Sequence, residues 1–265
     1  ADRSRRFFVA LRPARFLFFR TMNCVLLPEN SPLSLPPDSP KLAHIRGVLG
    51  TCDGGEIFVG NINGGLRVCK IAYRPDGGAE FSPVRELPVP EPLEAAIAVA
   101  FPRPQIAQRI LFEAACAGIR KLVFYPATKG EAAYAQSSLY KSGEYSKWLE
   151  KGAEQACATA VPTFRACLSP EDAADECAAT FADPVKLAPD PYEATDTLVG
   201  QLAKSARAAN AERGVAAMLG GERGFADSDR KMLRGRGWTL VSLGRRILRT
   251  DTAFITVCAL VAGIK

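Results

Sequence analysis

The chain has 265 residues, 48% of them hydrophobic, with 22 glycines and 19 prolines. That length and composition fit one large or two modest folded domains and exclude disorder over most of the chain. The formal charge is +6, but residues 1–21 hold six arginines against one acid. The remainder is close to neutral, so contact with nucleic acid must rest on local patches rather than bulk charge.

Residues 1–21 (ADRSRRFFVALRPARFLFFRT) are arginine-rich and aromatic. Arg12, Pro13 and Arg15 cut the apolar runs, so no signal-peptide core forms. Two readings fit this head: an organelle transit segment, or an upstream extension ahead of a start at Met22. Either way it is set apart from the fold, and MNCVLL opens a first strand. Residues 22–87 read as β-rich. EIFVGN (56–61) and LRVCKIAY (66–73) are strand patterns with partial alternation. The turns DGG (53–55), NGG (63–65) and DGG (76–78) separate short strands at the spacing of a small barrel. LPVPEP (87–92) disfavours helix and makes a stiff extended linker, so the domain boundary is placed at 88–92.

After the linker, strands and helices alternate. Strands are expected at 93–100, 121–125, 214–219 and 238–243. Helices are expected at 104–118, 145–156, 170–179, 195–210, 226–234 and 252–264, with Ser169 as an N-cap and Gly118 at a helix end. The alternation implies a parallel sheet covered by helices, an α/β architecture. The longest apolar stretch, residues 253–264, falls short of the ~18–20 residues that cross a bilayer and reads as a buried helix. Eight cysteines contain no CxxC pair and the single histidine is His44. No metal is expected, and reduced, mostly buried thiols in a cytoplasmic protein are the favoured reading.

Two segments carry chemistry. LGGERGF (219–225) runs from a strand into a turn with Gly220, Gly221 and Gly224, where backbone can approach a ligand closely. It is not GxGxxG and comes late in the chain, which counts against a dinucleotide-dependent oxidoreductase. SLGRRILRTDTA (242–253) ends another strand in a loop with Gly244, three arginines and a Thr-Asp-Thr helix start.

Together these segments resemble the signature of the 16S ribosomal RNA uracil-N3 methyltransferases of the trefoil-knotted SPOUT superfamily, close to IGPEGGF … LGxRILRxETA. Gly220, Glu222, Gly224 and Phe225 match the first motif. Leu243, Gly244, Arg246, Ile247, Leu248, Arg249, Thr252 and Ala253 match the second, with Asp251 in place of Glu. Glu154-Gln155 matches an AxEQ helix, and His44 to Leu49 resembles the family's HxxxVL stretch. The sequence departs from the family at Glu113, Cys116, Gly221 and Arg223. TKG (128–130) stands for ERS, and Ala158 and Ala160 fall in a stretch that is usually basic.

The resemblance implies a PUA-like, RNA-binding β-barrel at 22–87 and a knotted parallel-sheet methyltransferase domain at 93–265, working as a homodimer. It implies S-adenosylmethionine held by Leu219, Gly220, Gly221, Glu222, Gly224, Ser242, Leu243, Gly244, Ile247 and Leu248. Arg249 is the expected catalytic residue, stabilising the uracil anion, with Asp251 orienting it. His44, Arg46, Arg67 and Lys70 are the candidate RNA contacts of the barrel, and small-subunit ribosomal RNA is the implied partner. The alternative is a divergent SPOUT-fold protein that binds S-adenosylmethionine or RNA but modifies another target, or none.

Overall fold

A computed structural model describes residues 23–208 and 213–263; the arginine-rich head and the end of the helix expected to reach residue 210 lie outside them. The N-terminal part contains β1 (Val25–Leu27), β2 (Ser34–Leu35), α1 (Pro40–His44), β3 (Glu56–Asn61), β4 (Leu66–Tyr73) and β5 (Ala79–Leu87). The strands form one sheet in the order β1-β3-β4-β5-β2. All its ladders are antiparallel except β1 on β3. The sheet surrounds a small core of Val25, Leu27, Ile57, Val59, Ile71 and Phe81, closed by Leu42 and Ile45 from α1 and the π-helical turn after it. Among the described residues no ladder joins β1 to β2, so the expected barrel is observed as a predominantly antiparallel sheet around its own core.

The partial alternation of LRVCKIAY has a physical cause. A register shift between Val68 and Cys69 inserts a bulge into β4. Leu66 and Val68 therefore face the large core of the molecule, whereas Cys69 and Ile71 face the small one.

The remaining strands are β6 (Leu93–Ala100), β7 (Ile119–Tyr125), β8 (Thr163–Ala166), β9 (Val185–Pro189), β10 (Asp196–Thr197), β11 (Val215–Leu219) and β12 (Thr239–Ser242). They form a wholly parallel sheet in the order β10-β12-β9-β11-β6-β7-β8. The helices are α2 (Pro104–Ala117), α3 (Ser138–Lys141), α4 (Tyr145–Gln155), α5 (Pro170–Ala178), α6 (Leu198–Ala208), α7 (Asp227–Gly235) and α8 (Thr250–Ala262). β6 shows why a parallel strand reads as one apolar run. Ala95, Ile97 and Val99 enter the core on one face, and Ala96, Ala98 and Ala100 the core on the other. Gly118 takes φ +70° at the end of α2, and Ser169 caps α5 by accepting the Asp172 N–H.

Several boundaries differ from expectation. The helix expected at 195–210 begins at Leu198, because Asp196 and Thr197 pair with β12. The closing helix starts two residues early, at Thr250. No strand was expected at β2, β5, β8, β9 or β10. All eight cysteines are free thiols, six of them buried. Among the described residues no helix is long and apolar enough to cross a membrane.

The two sheets are joined through the end of α4. The Glu154 carbonyl accepts the Cys24 N–H at 3.0 Å, and its carboxylate accepts the Leu26 N–H at 3.0 Å and meets Lys41 Nζ at 2.6 Å. Thr159 donates its hydroxyl to the Gly64 carbonyl at 2.7 Å. The stretch that departs from the family's basic pattern is thus sealed into this junction: Ala158 and Thr159 are both buried.

Candidate functional site

Strand order brings the two chemical segments together. β12, β9 and β11 are neighbours and parallel, so the loops leaving their carboxyl ends must meet above one edge, where open α/β sheets bind ligands. These loops line a cleft of about 750 Å³ including its mouth. All ten residues assigned to the cofactor by the resemblance line it. So do Pro189 at the end of β9 and Asp190, Pro191 and Tyr192 of the loop after it, which the sequence reading missed. Once β9 is recognised, the PDP run beyond it is the available signal, because prolines at a strand end force a loop.

The walls depend on close backbone packing. A Cβ on Gly220 would come 2.9 Å from the Gly224 carbonyl carbon, so the turn closes only around glycine. Gly224 and Gly244 adopt φ +65° and +129°, conformations that side-chain-bearing residues rarely take. Gly221, where the family has proline, lies 3.5 Å by its projected Cβ from the Ala100 methyl, so this position has ordinary room. Apolar surface comes from Leu219, Leu243, Leu248 and Ile247, the last 74% exposed.

Buried polar groups lock the loops beneath. Asp190 accepts the N–H groups of Tyr192 and Glu193 at 2.7 and 2.8 Å and the Arg230 Nε at 2.7 Å. The Arg230 guanidinium also lies 5.6 Å from the Tyr192 ring centre. Asp229 holds the start of α7, accepting the Ala226 N–H at 2.8 Å and the Thr128 hydroxyl at 2.5 Å. Lys129 reaches the Phe225 carbonyl. The TKG loop therefore braces the glycine turn from behind. Tyr125 donates its hydroxyl to the Leu219 carbonyl at 2.8 Å; burial, with the Asp229 charge adding, pushes its pKa well up and keeps it a donor. Glu222 pairs with Arg103 at the mouth, and Arg223 with Glu131.

Arg249 is the N-cap of α8, and its side chain is 78% exposed beside the cleft. Asp251 is buried. Its carboxylate lies 3.7 Å from Arg249 Nε and 3.3 Å from a terminal guanidinium nitrogen of Arg109 on α2. The expected pair therefore exists, but Asp251 divides itself between two arginines. Arg109 could not be found from the sequence, because the crossing of α2 and α8 brings it there.

The four candidate RNA contacts are not gathered into one patch. Arg67 lies opposite Val59, on the inner face, and pairs with Glu86; Lys70 lies opposite Glu56, on the outer face. Arg46 donates to the Gly77 carbonyl and stands 4.5 Å from the Tyr73 ring centre. His44 lines a separate groove between α1 and α4, with Lys41, Lys147, Lys151, Glu150 and Glu154. Among the described residues no group of three or more His, Cys, Asp and Glu side chains is placed to hold a metal ion.

Comparison with known proteins agrees with this architecture. A curated relative, the ribosomal RNA small subunit methyltransferase E of Treponema pallidum (strain Nichols), is 28% identical over 62% of this chain and 60% of its own length. The chain thus spans about three-fifths of that relative. A methyltransferase of Legionella pneumophila solved with S-adenosylmethionine superimposes with a TM-score of 0.72 at 19% identity, over 91% of this chain and 98% of its own. A ribosomal RNA small subunit methyltransferase E of Neisseria gonorrhoeae, also bound to S-adenosylmethionine, gives 0.70 at 17%, over 90% and 96%. At these identities the likeness is one of fold. Residues 89–262 match the family described as RNA methyltransferase domain, and with two-thirds of its length inside that match the chain belongs to the RNA methyltransferase family.

Proposed function

We propose that this protein transfers a methyl group from S-adenosylmethionine to N3 of a uridine in small-subunit ribosomal RNA. The observation that carries the reading is the convergence of the glycine turn after β11 and the loop after β12 on one cleft beside Arg249 and Asp251. In this reading residues 22–87 form a PUA-like RNA-binding domain, 88–92 a linker and 93–265 a knotted methyltransferase domain, in a cytoplasmic homodimer.

The cleft fits the cofactor. Its glycines leave room for close backbone approach, and Leu219, Leu243 and Leu248 offer an apolar wall for a heteroaromatic ring. When bound, S-adenosylmethionine supplies an electrophilic methyl group on a sulfonium. The residues of the chain supply the rest. Backbone groups at Gly220 and Gly244 hold the adenosyl part, and the β9 loop, fixed by Asp190, forms the third wall. Uracil N3 must lose its proton to become a nucleophile. The Arg249 guanidinium, aimed at a neighbouring uracil carbonyl, stabilises the anion as it forms. Asp251 restrains Arg249, and Arg109 shares that carboxylate.

Calorimetry with S-adenosylmethionine, followed by nucleoside mass spectrometry of small-subunit RNA incubated with the protein, tests the reading. Saturable cofactor binding and newly formed N3-methyluridine are expected. Binding without any methylated nucleoside in RNA or assembled subunits would overturn the assigned reaction.

A further inference from the structure

We propose that Cys24 and Cys157 form a reversible disulfide site that clamps the N-terminal sheet to the methyltransferase part. Both residues are free thiols and buried, in two segments far apart in the chain. Their backbone N–H groups donate to the same oxygen, the Glu154 carbonyl, at 3.0 and 3.2 Å. The two nitrogens are therefore no farther apart than the sum of those distances. Disulfides close over Cα separations of about 4.4–6.8 Å. Both side chains enter the same hydrophobic core. The interaction between the two thiols pushes the Cys24 pKa up, with burial adding, and holds the Cys157 thiol below its ordinary value.

Position adds a second argument. Cys157 follows the end of α4 with φ +49°, a conformation that favours glycine at the end of a helix. A cysteine there accepts backbone strain. Cys24 in turn lines the groove rimmed by His44, Lys147 and Lys151, which opens its side of the pair to solvent.

The oxidant is a peroxide. The Cys157 sulfur attacks one peroxide oxygen: an S–O bond forms, the O–O bond breaks, and the departing hydroxide takes the Cys157 proton as water. The Cys24 sulfur then attacks the Cys157 sulfur. An S–S bond forms, the S–O bond breaks, and a second water leaves with the Cys24 proton. Two thiols are oxidised and one peroxide is reduced. Cys157, 9% exposed against 3% for Cys24, is the sulfur a reagent meets first and so the attacking residue, with Cys24 the resolving one.

The test uses the full chain, reduced, freed of reductant and pulsed with hydrogen peroxide. Peptide mapping without reductant should find a cross-link between the peptides carrying Cys24 and Cys157, and dithiothreitol should erase it. The thermal midpoint should rise by several degrees on oxidation and return on reduction, since the bridge restrains the unfolded chain. Cys24→Ser should leave Cys157 as a sulfenic acid that dimedone traps. The wild-type map decides even if that variant fails to fold. Oxidation of other cysteines while Cys24 and Cys157 stay free thiols overturns the proposal. So does over-oxidation of Cys157 without a cross-link.

Discussion

The cleft over β9, β11 and β12 and the groove between α1 and α4 are both lined with basic residues, yet they are built by opposite means. The cleft is shaped by backbone: glycine turns, loops leaving parallel strands, and buried carboxylates that hold those loops from beneath. Its arginines at 223 and 246, and Arg245 and Arg249 beside it, are exposed. The groove is shaped by side-chain ion pairs, Lys41 with Glu150 and Glu154, which bind one sheet to the other. In the groove much of the charge is consumed in holding the molecule together. Counting lysines and arginines therefore does not separate a site from a seam; the partner of each charge does.

Substitutions can break this contrast, beginning with the cleft. Gly220→Val places side-chain atoms against the Gly224 backbone, and Gly244→Val forces a β-branched residue to φ +129°. Either should abolish S-adenosylmethionine binding in calorimetry while the circular dichroism of the fold persists. Retained binding would show that the turns are only connections.

Next in size is Arg249→Ala, expected to slow single-turnover methyl transfer by roughly 10²–10³-fold, the scale of losing one preorganised electrostatic donor. Cofactor affinity and melting temperature should hardly move. Arg249→Lys should rescue poorly, because an ammonium lacks the planar fork, and Arg245→Ala should be tolerated. A full rate in Arg249→Ala would make the residue structural.

Asp190→Asn tests the support rather than the wall. It weakens a buried pair with Arg230, whose side chain is only 7% exposed. Breaking such a pair costs about 3–5 kcal/mol when one charge is stranded, and the amide should lose part of that. A lower unfolding midpoint together with weaker cofactor binding is expected. A drop in stability alone would detach the β9 loop from the site.

The smallest effect belongs to the groove. Lys41→Met removes a partly exposed cation from Glu150 and Glu154 and should cost about 1 kcal/mol in urea unfolding. Cofactor binding should not change. A loss of binding there would mean that the junction and the cleft are coupled.

Much of the fold was legible where the chain repeats a simple physical rule. β6 reads as continuous apolar sequence because both its faces are covered. α2 and α5 announce themselves by Gly118 and Ser169. β5 was missed because Pro83 and a run of exposed residues interrupt its alternation. β9 and β10 were missed because VKLAP and a two-residue pairing carry too little pattern to distinguish a strand from a loop. The four RNA candidates illustrate a different failure. Positions 67 and 70 look like neighbours in sequence, but their places in the ladder put them on opposite faces.

By itself the sequence determined the two motifs and the parallel α/β architecture, because glycine turns and strand ends are local properties, and the family resemblance picked out ten of the residues that line the cleft. Tertiary structure alone decided what stands around them. Strand order set β9 between β11 and β12 and so added a third wall. Helix crossing brought Arg109 to Asp251, and the junction placed Cys24 beside Cys157. These are contacts between residues far apart in the chain, and no local periodicity encodes which distant backbone will arrive beside a given side chain.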